Sequence, residues 1–344
     1  MRILVAGGSG AVGKRLVPLL VAAGHHVTAT TRTPEKVGRL HGLGAEVVVM
    51  DGLDEESVRK AVIGARPEVI VHEMTALASM GNLRRFDHEF ALTNRLRTEG
   101  TKHLLAAGQT AGAGRFIAQS YAGWTTGRDG SRVKTEDDPF DPDPPRAMAR
   151  TLEAIRALER MVLSAPGLVG IVLRYGSLYG PGTSLAEGAL MVEMIRRRRL
   201  PVIGSGTGVW SFIHVDDAAR ATQLAIENGA SGAYNIVDDE PAEAREWLPG
   251  LARAIGARPP RHVPAWVGRL AVGTAGVSMM TRVRGCSNAK AKGTLGWQPA
   301  YPTWREGFRR GLSEEPAEDG DEEGHPVRRA AERMGAFPND ASPH

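Results

Sequence analysis

A doubly wound α/β fold of Rossmann type, with a smaller carboxyl-terminal substrate lobe, is predicted by three features of this 344-residue chain. The apolar run Ile3-Leu4-Val5-Ala6 breaks at once into Gly7-Gly8-Ser9-Gly10-Ala11-Val12-Gly13 and reopens as a helical pattern. Strand-like and helix-like stretches then alternate through the first half, as parallel sheets require. Beyond about residue 180 that alternation gives way to short helices punctuated by glycine and proline.

The glycine segment comes first in the chain and in the argument. Glycine permits a tight turn, lets backbone approach a phosphate, and lets the following helix pack closely on the strand. The amides at the helix start, with the positive end of the helix dipole, then face an anion. Val12, Leu16 and Leu19 follow at helical spacing. This context assigns Gly7, Ser9, Gly10, Ala11, Val12 and Gly13 to a dinucleotide pyrophosphate rather than to an idle glycine-rich turn. Pro18 lies well inside the expected helix and predicts a kink or a lost backbone bond.

The remaining strand-like runs are Val27–Thr31, Val47–Met50, Val69–His72, Phe116–Gln119 and Ile171–Arg174. Amphipathic stretches such as Glu55–Val62 and Thr98–Ala107 separate them. Residues 1–180 read as the dinucleotide-binding core, with part of the later chain returning to it. Residues 181–313 read mainly as the substrate lobe. Residues 314–344 carry nine acids against three arginines and read as a disordered tail, with a short helix at Val327–Met334.

Composition narrows the function classes. With 42% hydrophobic and 24% charged residues the chain is an ordinary globular protein. One cysteine, Cys286, excludes an internal disulfide and a cysteine-rich zinc site. No His/Asp/Glu spacing matches a metal site, so none is expected. Apolar runs fall short of the ~20 residues that span a bilayer, and the glycine turn interrupts any leader-like start. A cytoplasmic protein without membrane or nucleic-acid partners is expected. The basic run Arg196-Arg197-Arg198-Arg199 closes a helical stretch, where cations meet the negative helix end.

The nucleotide is chosen at the end of the second strand. A ribose-gripping carboxylate normally stands about 20 residues past the glycines. Here the strand ends in Thr31-Arg32, and a guanidinium suits a 2′-phosphate. NADP(H) is therefore expected over NAD(H), with Arg32 as the discriminating residue.

From Met1 to about Arg309 the chain resembles the extended short-chain dehydrogenase/reductases, the NAD-dependent epimerase/dehydratase group. The glycine motif, Asp51, Gly100-Thr101, Leu173-Arg174, Tyr179-Gly180-Pro181-Gly182 and Phe212-Ile213-His214-Val215-Asp216-Asp217 match in order. Tyr234-Asn235-Ile236-Val237 and Leu295-Gly296-Trp297-Gln298-Pro299 complete the set. The resemblance implies further cofactor contacts at Asp51, Gly52 and Met74. It also implies a homodimer through two long helices, roughly Arg95–Gly108 and Thr151–Leu163.

Two departures bear on chemistry. The group uses a Tyr-x-x-x-Lys pair on one helical face, in which lysine depresses the tyrosine pKa. Four residues past tyrosines 121, 175, 179, 234 and 301 stand Thr125, Tyr179, Thr183, Asp238 and Arg305, none of them lysine. Anchoring on Glu159 and Leu173-Arg174 puts Thr151 and Ile155 where the pair is expected. Nucleotide-sugar enzymes of the group carry an arginine before the Val-Asp-Asp run; Trp210 stands there and cannot neutralise a phosphate. A less charged, more apolar substrate is expected.

The candidate chemistry falls on Ser120 and Tyr121. Ser120 follows a strand, where a hydroxyl could polarise a carbonyl, although turn residues often bond their own backbone. Tyr121 could donate the proton with a pKa near 10, as an acid rather than a base. Asp216 or Asp217 is expected to cap a helix, and His214 to be a satisfied core histidine. Glu73 could be a desolvated base. The expected function is an NADPH-dependent reductase of a small or medium apolar carbonyl. A non-catalytic NADP(H) sensor or scaffold, and an epimerase, dehydratase or cyclase using another base, are the alternatives.

Overall fold

Side-chain alternation decides how this chain layers. In β1 (Arg2–Ala6) Ile3 and Val5 face one apolar layer while Leu4 and Ala6 face the other. A strand buried on both sides must lie inside a sheet covered by helices on each face. The computed structural model describes residues 1–77 and 83–313, and shows that arrangement.

The core elements are β1, α1 (Ala11–Ala22), β2 (His26–Thr31), β3 (Glu46–Val49), α2 (Glu55–Ala65), β4 (Val69–His72) and α3 (Thr101–Ala111). They continue as β5 (Arg115–Tyr121), α4 (Ala149–Leu163), β6 (Val169–Tyr175), α5 (Val215–Asn228) and β7 (Gly232–Ile236). The seven strands run parallel in the order β7-β6-β5-β4-β1-β2-β3. The chain leaves β1 in one direction to β2 and β3, then crosses to β4 on the other side. That reversal opens a crevice at the carboxyl ends of β1 and β4.

Helices α1 and α5 bury Val12, Leu16, Leu20, Ala218 and Ala225 against one face. Helices α2, α3 and α4 bury Val58, Val62, Leu104, Leu158 and Val162 against the other. Helix α1 runs on through Pro18 without interruption. The stretch expected as one helix from Arg95 is divided instead: Ala91–Arg95, a wider π turn at Leu96–Gly100, then α3.

The later chain does two things. It returns α5 and β7 to the sheet, and elsewhere it builds an aromatic core of Tyr179, Phe212, Trp247, Trp304 and Phe308. A fourth cluster, with Phe86, Trp124, Leu152 and Ile155 against Ala275, Met279 and Val283, lies between them. The expectations for residues 314–344, including a helix at Val327–Met334, lie outside the described residues.

Candidate active site at the carboxyl ends of the strands

The glycine loop is built as its sequence requires. Gly7 has φ +95°, and a Cβ there would stand 2.8 Å from the backbone carbonyl of Glu73. At Gly13 a Cβ would stand 2.6 Å from the Gly7 oxygen, so only glycine lets α1 start this close to the strand. The Gly10 amide donates to the Gly7 carbonyl at 2.9 Å, and Lys14 makes the first helical bond back to Gly10. The amides of Ala11, Val12 and Gly13 precede that bond, and the first turn carries no acid. These features fit an anion of the pyrophosphate kind.

Along the same edge lie the other sequence-predicted cofactor positions. Thr31 donates through its hydroxyl to Ser9 Oγ at 3.1 Å, joining the end of β2 to the loop. Arg32 is exposed beside them, and makes no ion pair among the described residues. Asp51, exposed past β3, accepts from the Leu53 amide at 3.0 Å. Gly52 is buried, and the space its Cβ would fill holds the Met74 thioether. The structure thus brings Gly7 to Gly13, Arg32, Asp51, Gly52 and Met74 to one crevice edge.

The hydroxyls past β5 are differently placed. Ser120 is buried and donates to Glu159 Oε1 at 2.7 Å. Glu159 in turn takes Arg174 Nε at 3.0 Å and Nη2 at 2.7 Å, a buried pair held on two edges. The Ser120 proton is therefore directed away from the crevice. Tyr121 instead meets Ser177 Oγ at 2.9 Å, where a short strand, Ser177–Tyr179, follows β6. Its expected ordinary pKa is not found: burial pushes the phenol up to about 12. Thr151 donates to Asp87 at 2.6 Å and accepts from Asn94 at 3.0 Å, while Ile155 packs in the aromatic cluster. Trp210 gives its indole N–H to the Met279 carbonyl at 2.9 Å.

Five titratable groups differ from their sequence reading or sharpen it. His214 is itself the helix cap: its Nδ1 accepts from the Asp216 amide at 3.2 Å, and Nε2 meets the Gly311 carbonyl at 2.9 Å. The expectation of an Asp216 or Asp217 cap is corrected. Asp216 pairs with Arg15, and Asp217 is buried, accepting from the amides of Ala300 and Tyr301. Glu73 is buried past β4, and burial raises its pKa to about 8. A base at neutral pH would be ionised there; this group holds its proton. Burial also pushes the Cys286 thiol up to about 12, so it is no nucleophile.

The model of the NAD dependent epimerase/dehydratase family matches residues 3–237. The chain belongs to that family. It is similar to a 3-diazoavenalumate denitrifying reductase of a Streptomyces species, 45% identical over 313 residues, which are 90% of this chain and 100% of that one. A Stigmatella aurantiaca ketoreductase, acting on 4-hydroxy-2-methyl-3-oxo-4-farnesyl-3,4-dihydroquinoline-1-oxide, is 30% identical over 75% of this chain and 74% of its own. Among solved structures, Thermotoga maritima UDP-glucose 4-epimerase with UDP-glucose aligns with TM-score 0.71 and 25% identity, covering 91% and 97% of the two chains. The Thermus thermophilus UDP-glucose 4-epimerase with NAD gives TM-score 0.68 and 26% identity, over 91% and 98%.

For an epimerase/dehydratase family member, the site contains two residues that sequence reasoning did not connect. Ser177 and Tyr175 meet Tyr121 and Glu73 across 56 and 102 positions of chain. Only the Leu173-Arg174 landmark, placing β6 beside β5, hinted at this neighbourhood. Among the described residues no helix is long and apolar enough to cross a membrane, and no group of His, Cys, Asp and Glu could hold a metal.

Proposed function

We propose that this family member is an NADPH-dependent reductase whose substrate accepts hydride at carbon without a tuned acid/base partner. The observation that carries the reading is the similarity, over the full length of the relative, to a reductase that removes nitrogen from a diazo compound. When bound, the reduced nicotinamide supplies the hydride. Gly7 to Gly13 hold the pyrophosphate, Arg32 meets a 2′-phosphate, and Asp51, Gly52 and Met74 border the adenosine end. The half-buried Tyr121, the neutral Trp210 and the aromatic cluster around Trp124 favour a substrate with an aromatic ring.

A diazonium-bearing carbon that takes hydride loses N2, which departs with the C–N bonding pair. No proton is needed by the product and none is removed from the substrate. A phenol with pKa about 12 is a poor base at neutral pH, and this reaction asks for none. Arg174–Glu159–Ser120 then serves to hold β5 and β6 together rather than to move protons.

The second reading is reduction of an apolar ketone or aldehyde, favoured by the Tyr121–Ser177 hydroxyl pair and by the ketoreductase relative. There Tyr121 would donate to the developing alkoxide, and Ser120 would orient the oxygen only after releasing Glu159. The two readings separate in one assay. NADPH oxidation at 340 nm is followed with arenediazonium acids and with a panel of ketones and aldehydes. Diazonium-dependent oxidation with one N2 per NADPH supports the first, and carbonyl-dependent oxidation the second. Tight NADPH binding with neither contradicts both and leaves a sensor.

A further inference from the structure

We propose that the helix Ala265–Thr281 docks this protein on an anionic lipid surface. Trp266 and Leu270 enter the headgroup layer, and the arginines around them meet the lipid charge. The inference goes beyond the reductase reading and does not depend on it.

The packing of this helix decides which side faces out. Gly268 is buried, and a Cβ there would collide with the Ile203 side chain, so the helix lies hard against the lobe. Trp266 and Leu270 stand two residues before and two after it, each about 160° around the helix from Gly268. They therefore point away from the body, and are 68% and 65% exposed. At a spacing of four residues they are neighbours on one face. Pro264, Ala265 and Ala271 continue the exposed apolar surface. A single exposed leucine is ordinary, but a tryptophan and a leucine side by side on an outward face call for an occupant.

Charge selects that occupant. No Asp or Glu stands between Glu246 and Glu306, or between Glu193 and Asp216. The fold brings these two acid-free stretches together. The short strands Val202–Ile203 and His262–Val263 run parallel. The Val202 amide donates to the Arg261 carbonyl and the Gly204 amide to the Val263 carbonyl, each at 2.9 Å. Arg198 Nε reaches the Pro259 carbonyl at 3.0 Å. Arg196 and Arg197 are paired with Glu193, and Arg196 also with Glu187. Arg199, Arg258, Arg261 and Arg269 are exposed and make no ion pair among the described residues. The cationic surplus rests on these four, and Arg269 precedes Leu270 on the helix itself.

An indole among guanidinium groups, on a helix lying flat, suits the boundary between lipid headgroups and acyl chains. Each unpaired arginine adds attraction to an anionic leaflet. A second copy of this chain related by a two-fold axis would instead set these arginines against themselves. The expectation of no membrane partner rested on the lack of a spanning segment, and a surface contact needs none.

The test is co-sedimentation of the full chain with vesicles of phosphatidylcholine, with and without about one quarter phosphatidylglycerol. Wild type should bind the anionic vesicles, leave the neutral ones largely unbound, and lose binding as salt rises. Trp266→Ala combined with Leu270→Ala should weaken binding at least about tenfold. Arg258→Gln and Arg261→Gln should each weaken it about fivefold. All four positions are exposed, so circular dichroism and melting temperature should stay as in wild type. Brominated phosphatidylcholine in the anionic vesicles should quench wild-type tryptophan emission. Trp266→Phe should still bind but lose that quenching. No binding to anionic vesicles, binding that the double variant keeps, or quenching that survives Trp266→Phe overturns the proposal. A dimer in size-exclusion chromatography that Trp266→Ala dissolves would give this face to a second copy, and also overturns it.

Discussion

The two ends of the crevice have been treated differently by this sequence. At the glycine end every device for holding a dinucleotide is kept: a φ of +95° at Gly7, no room for a Cβ at Gly13, and a helix start without acids. At the β5–α4 end the polar groups are turned inward. Ser120 serves Glu159, and Thr151 serves Asp87. A loop that fits an anion thus stands beside hydroxyls that, among the described residues, are turned to carboxylates. On the proposed reading, hydride delivery and proton transfer are separable parts of this fold, and a substrate that needs only the first can dispense with the second.

Breaking the cradle should have the largest effect. Gly13→Val places branched carbon where the Gly7 oxygen and Gly8 Cα already lie, and should lower NADPH affinity at least ~100-fold, read by fluorescence titration. Circular dichroism of the variant separates lost binding from lost fold. The contrasting change at the other end is Arg174→Ala, which strands Glu159 without its cation. A buried pair broken on one side costs about 3–5 kcal/mol, to be measured by denaturant unfolding. If that variant, once folded, keeps its turnover, the pair is structural; a selective loss of kcat would return it to the chemistry.

The cofactor preference sharpens the comparison at lower cost to the protein. NADPH should bind at least tenfold tighter than NADH, and Arg32→Ala should erase most of that gap with little change in melting temperature. Equal affinities in wild type would remove Arg32 from the site. Stability against pH gives a subtler reading of Glu73. A carboxyl raised from 4.5 to about 8 on folding stabilises the protein fully below the lower value. That stability declines as pH climbs from 4.5 towards 8. Thermal melts of wild type should show this decline, and Glu73→Gln should lack that part of it.

Much of this contrast was legible in the sequence, and the missing part has a physical cause. The first six core strands are legible as short runs rich in β-branched and apolar residues, even edge strand β3, which is only partly buried, and the glycine motif identifies its own turn. The seventh strand, Gly232–Ile236, opens on glycine and carries Asn235 within its apolar run, so it does not read as a buried strand. Local patterns also cannot report partners far along the chain. The bond from Ser120 to Glu159 and the burial that raises the Tyr121 phenol both depend on residues far along the chain. His214 read as a core histidine, but its capping of α5 depends on a backbone turn that sequence does not display. Thr222 carries no signal at all, although its hydroxyl lies 2.5 Å from that of Tyr175.

Tyr121→Phe should have the smallest effect if hydride transfer needs no proton donor: diazonium reduction within about twofold of wild type, against a loss of about 10²-fold for a carbonyl. The most direct test of the central claim is isotopic. Wild type is run with an arenediazonium acid and NADPH carrying deuterium at the transferred position of C4, in ordinary water. The reverse labelling, unlabelled NADPH in deuterium oxide, is run alongside. Hydride delivery without proton transfer predicts one deuterium on the carbon that lost N2 in the first experiment and none in the second. Deuterium drawn from solvent at that carbon, or no NADPH-dependent loss of N2, would contradict the account.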